Sequence, residues 1–306
     1  MKFRLSEERT QWRISLTSLS IGAALIYLWD LANGQRSEYY AAIAMAMSKS
    51  FSNLFFGTLD PGGSVTLDKI PGSYWIPAIF VKIFGFSTWA VNAPNAIATV
   101  GTVIVTAITA KNLYGKTAGL IAGAIFATTP IVAAVSRSNQ PQSYFLLTLA
   151  LSSWAAVKAL QNNSRKYLIL AGVWIAVAFH TYMLEAWALW PALIIAYLFT
   201  EQRMIKKFLD LLIAGTTSLI LSLTWIIIVT LIPASHRPYI GGTYHNNPFE
   251  MVFGYNGLGR FTTSSNSLSS STDNPIFRSF TPPFGGAPGI GRLFNYNVGG
   301  QIAWLI

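Results

Sequence analysis

Three acids and one lysine stand where they could act together. Asp60-Pro61-Gly62-Gly63-Ser64-Val65-Thr66-Leu67-Asp68-Lys69-Ile70-Pro71 carries two of the acids and the lysine, and Glu38 precedes it. A carboxylate can accept a proton from an attacking hydroxyl. A lysine ammonium can hold a phosphate as a point charge. Arg137, in Ser136-Arg137-Ser138-Asn139-Gln140-Pro141, adds a planar guanidinium suited to phosphate or diphosphate. The set comprises Glu38, Asp60 and Asp68 as catalytic candidates, with Lys69 and Arg137 as candidate phosphate ligands.

Each residue also has an ordinary reading. Glu38 can cap a helix, and Asp60 can form an Asp-Pro-Gly turn. Lys69 can snorkel toward headgroups, and Arg137 can anchor a helix end. His180 and Glu185 alone do not make a metal site. No HExxH, cysteine/histidine ligand spacing or Walker-type loop is present, and Gly285–Gly291 lacks the Lys-Ser/Thr a phosphate loop needs. No cofactor is expected firmly, and a divalent metal stays open.

The elements that must carry these residues are membrane helices. The 306 residues are 52% hydrophobic and only 10% charged, against about 25% charged in soluble domains. Mean hydropathy is +0.45. The net charge of +10 is read as membrane topology and contact with anionic lipid, not nucleic acid. There is no cysteine, so thiol chemistry is excluded. A spanning helix needs about 20 mostly apolar residues. Segments 14–32, 91–110, 118–135, 144–159, 167–179, 186–199 and 208–232 are expected to span, the fifth and sixth joined by a turn at 180–185. An eighth starts at Gln301, and the chain is expected to be truncated inside it.

Basic residues cluster at the N-terminus (Lys2, Arg4, Arg9, Arg13), Lys111/Lys116, Lys158/Arg165/Lys166 and Arg203/Lys206/Lys207. Alternate connections put all four on one side, which the positive-inside rule makes cytoplasmic. The outer side then receives 33–90, 136–141, the 180–185 turn and 233–298, with Glu38, Asp60, Asp68, Glu185, Glu250 and Asp273. Residues 39–56 and 74–84 have apolar spacing that predicts two helices lying along the bilayer. Ser264–Ser271 reads as low complexity, and the Gly- and Ser-rich last loop as a segment able to close over a substrate. Trp12, Trp29, Trp75, Trp89 and Trp304 suit interface belts. Residues 1–306 are taken as one transmembrane domain.

Several short motifs share a pattern. They are Tyr39-Tyr40-Ala41-Ala42, Phe55-Phe56-Gly57, Asp60-Pro61 and Val65-Thr66-Leu67-Asp68-Lys69 with Pro71. They continue with Phe84-Gly85-Phe86-Ser87-Thr88-Trp89, Thr129-Pro130 and Asn139-Gln140-Pro141. Arg237-Pro238-Tyr239-Ile240-Gly241-Gly242, Phe253-Gly254-Tyr255-Asn256-Gly257 and Arg292-Leu293-Phe294-Asn295 complete the set. Together these resemble ArnT-like and protein-mannosyltransferase-like membrane glycosyltransferases, most of all their YkcB-like, mannosyltransferase-related branch. The resemblance implies an all-α polytopic membrane protein of GT-C type, with interfacial helices in the first outer loop. It implies transfer of a sugar from a polyprenyl-phosphate-linked donor to a cell-envelope acceptor, at the exterior face of the bacterial plasma (inner) membrane. Lys69 would contact the carrier phosphate, and first-loop acids would position or deprotonate the acceptor. Relatives often carry an acidic pair where Arg36-Ser37-Glu38 leaves only Glu38, and Asn-Asn-Pro-Asp where this chain has Asn139-Gln140-Pro141-Gln142. They often have Lys-Pro-Pro where it reads Lys69-Ile70-Pro71, and a Lys where it has Tyr182. A lipid-binding or flippase-accessory protein that kept the scaffold is the alternative. A secondary transporter fits less well, because the acids lie in loops and not within spans.

Overall fold

The computed structural model describes residues 2–260. The expected eighth helix, Ser264–Ser271, Asp273, Gly285–Gly291, the Arg292–Asn295 motif and Trp304 lie outside the described residues.

Eleven α-helices follow one another among the described residues. They are α1 (Lys2–Leu28), α2 (Glu38–Met47), α3 (Phe51–Phe56), α4 (Gly72–Phe84), α5 (Thr88–Tyr114) and α6 (Lys116–Thr128). α7 (Pro130–Ser136), α8 (Gln142–Gln161), α9 (Arg165–Tyr182), α10 (Leu189–Leu198) and α11 (Met204–Leu231) complete them. The described residues contain no named strand, only isolated bridges. Five stretches are long and apolar enough to cross a membrane, or six with the bent α6–α7 pair counted. The chain is thus an all-α polytopic membrane protein.

Two expected segments differ in shape. Segment 118–135 is not one straight span, because α6 and α7 meet at an angle of 63°. Pro130 opens α7, and proline disfavours the helical conformation for the residue before it. Thr129 accordingly sits at φ −64°, ψ 119°, which is extended backbone. The second case is 39–56, which is two helices instead of one. Ser50 leaves helical geometry and its hydroxyl accepts from the Asn53 amide at 3.0 Å, starting α3 afresh. The apolar stretch Arg165–Leu198 folds back on itself as expected. Arg165 and Tyr197, at its two ends, both bond the Asp210 carboxylate. The turn falls at Met183, a non-glycine residue held at φ 55°.

Close helix packing comes from small residues, as membrane bundles require when apolar surface alone gives little drive between helices. A Cβ on Gly172 of α9 would lie 2.8 Å from the Ala214 carbonyl of α11. One on Gly119 of α6 would lie 2.6 Å from the Ala107 carbonyl of α5. Ser152 of α8 donates to the Ala171 carbonyl at 3.0 Å.

The alternation of helices gathers basic residues at one end of the bundle. Lys111 lies 4.5 Å over the Trp12 ring, and Lys116 pairs with Glu8 at 2.9 Å. Lys111, Lys116, Lys158 and Arg9 are near enough to interact electrostatically. The opposite end carries the described parts of the two long connections, with Glu38, Asp60, Asp68 and Glu250. Two tryptophans expected in interface belts are drawn inward. Trp12 is buried beneath Lys111, and the Trp75 indole donates to the Leu54 carbonyl at 3.0 Å.

Candidate active site

The loop end is built around residues 57–69. Leu67 donates its amide to the Gly57 carbonyl at 2.8 Å, and Leu59 donates to Val65 at 2.9 Å. A second segment, 173 to 175 residues later, pairs along the other side. Thr66 donates to the Tyr239 carbonyl at 2.8 Å, and Tyr239 donates to Ser64 at 2.9 Å. The Gly241 amide donates to the Thr66 hydroxyl at 3.0 Å. Three short extended pieces are thereby laced into one patch, with Thr66, Leu67 and Ile240 buried.

Two glycines make this close approach possible. A Cβ at Gly241 would meet the Thr66 carbonyl at 2.3 Å. Gly57 sits at φ +71° with Leu67 and Pro71 atoms 2.4 and 2.6 Å from where its Cβ would be. The patch closes with Asn256, whose side-chain amide donates to the Asp68 carbonyl at 2.6 Å. Asn256 follows a π-helical turn, Glu250–Tyr255. Such turns recur at functional sites. Residues 237–256, the described part of the last connection, are fastened to the Asp68 loop; most of the Gly- and Ser-rich stretch expected to close over a substrate lies outside the described residues.

Asp68 and Lys69 form an ion pair at 2.6 Å at the edge of this patch. Their side chains are 25% and 23% exposed, so both still meet solvent. An ammonium has three donors and a carboxylate has room for several acceptors' worth of bonds. The pair can keep its mutual bond and still take a further anion on Lys69. Tyrosines wall it. Tyr39 and Tyr40 meet edge to face at 5.2 Å between ring centroids, and Tyr40 stacks on Tyr74 at 5.2 Å. Burial, then the negative charge of Asp68, pushes the Tyr39 phenol up to about 12. Burial pushes Tyr74 well up too, with Tyr40, Tyr39 and Asp68 adding to it. Both phenols stay neutral donors at any physiological pH.

Neighbouring helices fix this loop in place. Ser73 donates to the Thr181 carbonyl at 2.9 Å, and a Cβ on Gly72 would strike the His180 carbonyl at 2.2 Å. Asn139 locks the start of α2, accepting from the Ser37 amide at 2.8 Å and donating to its carbonyl at 2.9 Å. Asn92 and Asn95, buried on α5, hold the 137–140 turn through its carbonyls.

The other sequence candidates are placed differently. Glu38 opens α2 and pairs with Arg36 at 2.9 Å, with its side chain 76% exposed. Tyr39, its chain neighbour, is the residue that feels Asp68. Asp60 is turned onto its own loop. One carboxylate oxygen accepts from the Ser64 amide, the Ser64 hydroxyl and the Val65 amide at 3.0, 2.7 and 3.3 Å. The Ser64 hydroxyl first, then backbone amides, holds that carboxyl below the usual carboxylate range. Arg137 caps α7 and donates to the Ile26 carbonyl of α1 at 2.8 Å. The structure thus keeps Asp68 and Lys69 together, turns Glu38 to Arg36, and engages Asp60 and Arg137 elsewhere. Glu185 is exposed, and Glu250 accepts the Tyr244 and His245 amides at 3.0 Å each. Among the described residues no group of three His, Cys, Asp or Glu gathers as a metal site.

Residues 68–228 match the family described as dolichyl-phosphate-mannose-protein mannosyltransferase, a match that begins at Asp68. The chain belongs to that family. It is 35% identical over 260 residues to Putative mannosyltransferase YkcB of Bacillus subtilis (strain 168), covering 84% of this chain and 36% of that protein. It is 38% identical over 237 residues to Putative mannosyltransferase YycA of the same organism, covering 76% of this chain and 34% of that protein. The chain spans about a third of the length of these curated relatives.

Sequence reading did not single out Asn256 as a holder of Asp68, nor Tyr74 and Tyr255 as its neighbours. The signal was partly present, since Tyr255-Asn256 lies within one of the shared motifs. It also missed Asp210, a fully buried acid on α11 bonded by Arg165 and by the Tyr197 hydroxyl at 2.9 Å. A lone acid inside an apolar helix is itself a signal that a partner exists.

Proposed function

We propose that this chain forms the membrane part of a glycosyltransferase that moves a hexose, a mannose by its relatives' names, from a polyprenyl-phosphate carrier to a cell-envelope acceptor. The observation that carries this is the Asp68–Lys69 pair, held by three chain segments and still open to solvent. Lys69 takes the carrier phosphate while Asp68 keeps its ammonium in place. The acceptor oxygen attacks the anomeric carbon, the carbon–oxygen bond to phosphate breaks, and the phosphate leaves with that electron pair on its own oxygen, where the Lys69 ammonium meets the charge. The base that takes the acceptor's proton must stand on the far side of the sugar from the phosphate. Asp68 is bonded to the phosphate ligand and is badly placed for that task. Asp60 has one oxygen saturated by its own turn. Glu38 is exposed and bound only by an exposed pair to Arg36, which is weak in water. Glu38 is therefore assigned the base.

The gathering of Arg9, Lys111, Lys116, Lys158 and Arg165 at one end supports a cytoplasmic N-terminus and an exterior site. The engagement of Asp60 and Arg137 in structural contacts favours the second reading, a protein that binds lipid-linked sugar without transferring it. One experiment separates the two. Purified protein is supplied with polyprenyl-phosphate mannose, and both bound donor and released carrier phosphate are measured. Binding with release supports transfer, and binding without release supports the second reading. Absence of both, with the protein folded, overturns the site.

A further inference from the structure

A second basic pocket lies at the other end of α4 from Lys69. It is a concavity of about 280 Å³ lined by Met45, Ser48 and Lys49 after α2 and by Val81, Lys82, Gly85 and Phe86 at the end of α4. α4 has 13 residues, so at 1.5 Å per residue this pocket is about 20 Å from Lys69. It belongs to neither the Asp68–Lys69 pair nor its tyrosine wall.

Two lysines from separate elements face one hollow here, and neither has a carboxylate within ion-pair distance among the described residues. Ala41 and Ala44 of α2 pack against Val81, Ala90 and Val91 in one buried cluster, which fixes α2 against α4. A Cβ on Gly85 would meet nothing within 4 Å, so the hollow is open above it. Phe86 at the rim also carries the Arg36 guanidinium 5.0 Å from its ring centroid, with that charge already paired to Glu38 at 2.9 Å.

The surroundings say what kind of anion fits. Ile76, Ile79 and Ile83 stand exposed along one face of α4, and Phe84, Phe86 and Trp89 are exposed beside them. Apolar surface next to a pair of ammonium groups matches a molecule with a hydrocarbon body and a phosphate head. We propose that the Lys49–Lys82 pocket binds the phosphate of an anionic membrane lipid, apart from the donor site, with the acyl chains along Ile79 and Ile83.

The test uses the whole chain, purified in detergent and examined by native mass spectrometry with added lipid. The probes are phosphatidylglycerol, phosphatidylcholine and inorganic phosphate. Wild type should retain one phosphatidylglycerol in preference to phosphatidylcholine. Lys49→Ala and Lys82→Ala should each weaken that retention about tenfold, and the double variant more. Lys69→Ala should keep it, which separates this site from the proposed donor site. Equal retention by wild type and the folded double variant, or no preference over phosphatidylcholine, overturns the proposal. Lysine-dependent binding of inorganic phosphate without lipid retention would keep the phosphate site and overturn the lipid as its source. Circular dichroism of each variant checks that a lost lipid is not a lost fold.

Discussion

The two ends of this bundle each hold an aspartate with a cation, and the two pairs are built for different ends. At the basic end Asp210 is fully buried, with Arg165 on one oxygen and the Tyr197 hydroxyl on the other. Tyr197 is held further by Gln202 at 3.0 Å. Little is left for a ligand to bond. At the loop end Asp68 and Lys69 are each about a quarter exposed, and their shared bond occupies one carboxylate oxygen. The loop backbone is held by other segments, which leaves the side chains free to meet a ligand. A saturated buried pair fastens helices, whereas a half-open pair on a fixed backbone offers chemistry. Desolvating an ion pair costs about as much as the pairing returns, so the buried one is best read as fixing how α9, α10 and α11 meet.

The largest effect should come from the loop end. Removing a general base costs roughly 10²–10⁴ in rate, so Glu38→Gln should lower sugar transfer by that factor. Its stability should stay nearly unchanged, because exposed pairs contribute about 0–1 kcal/mol. Asp60→Asn is the matched control and should hold transfer within a few-fold. A Glu38→Gln protein with full turnover, assayed beside Asp60→Asn, would remove Glu38 from the mechanism.

The basic end should behave in the opposite way. Asp210→Ala strands the Tyr197 hydroxyl and leaves Arg165 without its partner. Breaking a buried pair costs about 3–5 kcal/mol, and Arg165 is half exposed and can turn to water, so about 3 kcal/mol is expected. Unfolding in detergent measures it. A loss under about 1 kcal/mol would erase the contrast between the two ends.

Lys69→Ala sharpens the comparison from the ligand side. It should weaken donor binding by the worth of one charge-assisted phosphate contact, about 1.5–3 kcal/mol. Lys69→Arg should restore part of it, since a planar fork meets phosphate with different geometry. Titration with polyprenyl-phosphate sugar reads both. Donor affinity unchanged in Lys69→Ala would make this pair as structural as the one at Asp210.

The two ends also differed in how far sequence could reach them. Long apolar helices such as α11 are visible from hydropathy alone, because about 20 apolar residues in a row have few other uses. The Asp60 turn was legible for a local reason: Asp-Pro-Gly sets its own geometry. The lacing of Tyr239 and Gly241 onto Ser64 and Thr66 was not, since 175 residues separate Thr66 from Gly241 and no local pattern encodes such a pairing. A glycine-rich segment reads as free loop until its partner is known. Here Gly241 is glycine because another backbone lies against it. The break between α2 and α3 was hidden because apolar spacing ran on across Ser48–Ser50, although Ser50 with Asn53 carried the cap signal. Lys69 was found as a residue type, but its fixing by the Asn256–Asp68 contact depends on folded geometry.

The smallest effect is an acid one, and it should appear at one end only. Asp60 and Glu250 both lie at the loop end, and both carboxyls are held below their ordinary values. The Ser64 hydroxyl is the leading cause for Asp60, and the Tyr244 and His245 amides for Glu250. A carboxylate whose folded pKa is depressed adds stability above its unfolded value and loses it as pH falls through the folded one. Both contributions are therefore present at neutral pH and fade below about pH 4. Both groups are partly exposed and bond only their own loops, so the change is a local loosening of 60–65 and 244–250 and not global unfolding. Hydrogen exchange compared at pH 6 and pH 3.5, corrected for intrinsic rates, should show protection falling at Ser64, Val65, Tyr244 and His245. Asp60→Asn should lower protection at Ser64 and Val65 already at neutral pH and flatten their dependence on acid. Protection falling equally along α8 and α9 would mean that acid acts on the bundle as a whole, and that these two carboxylates do not fasten the loop end.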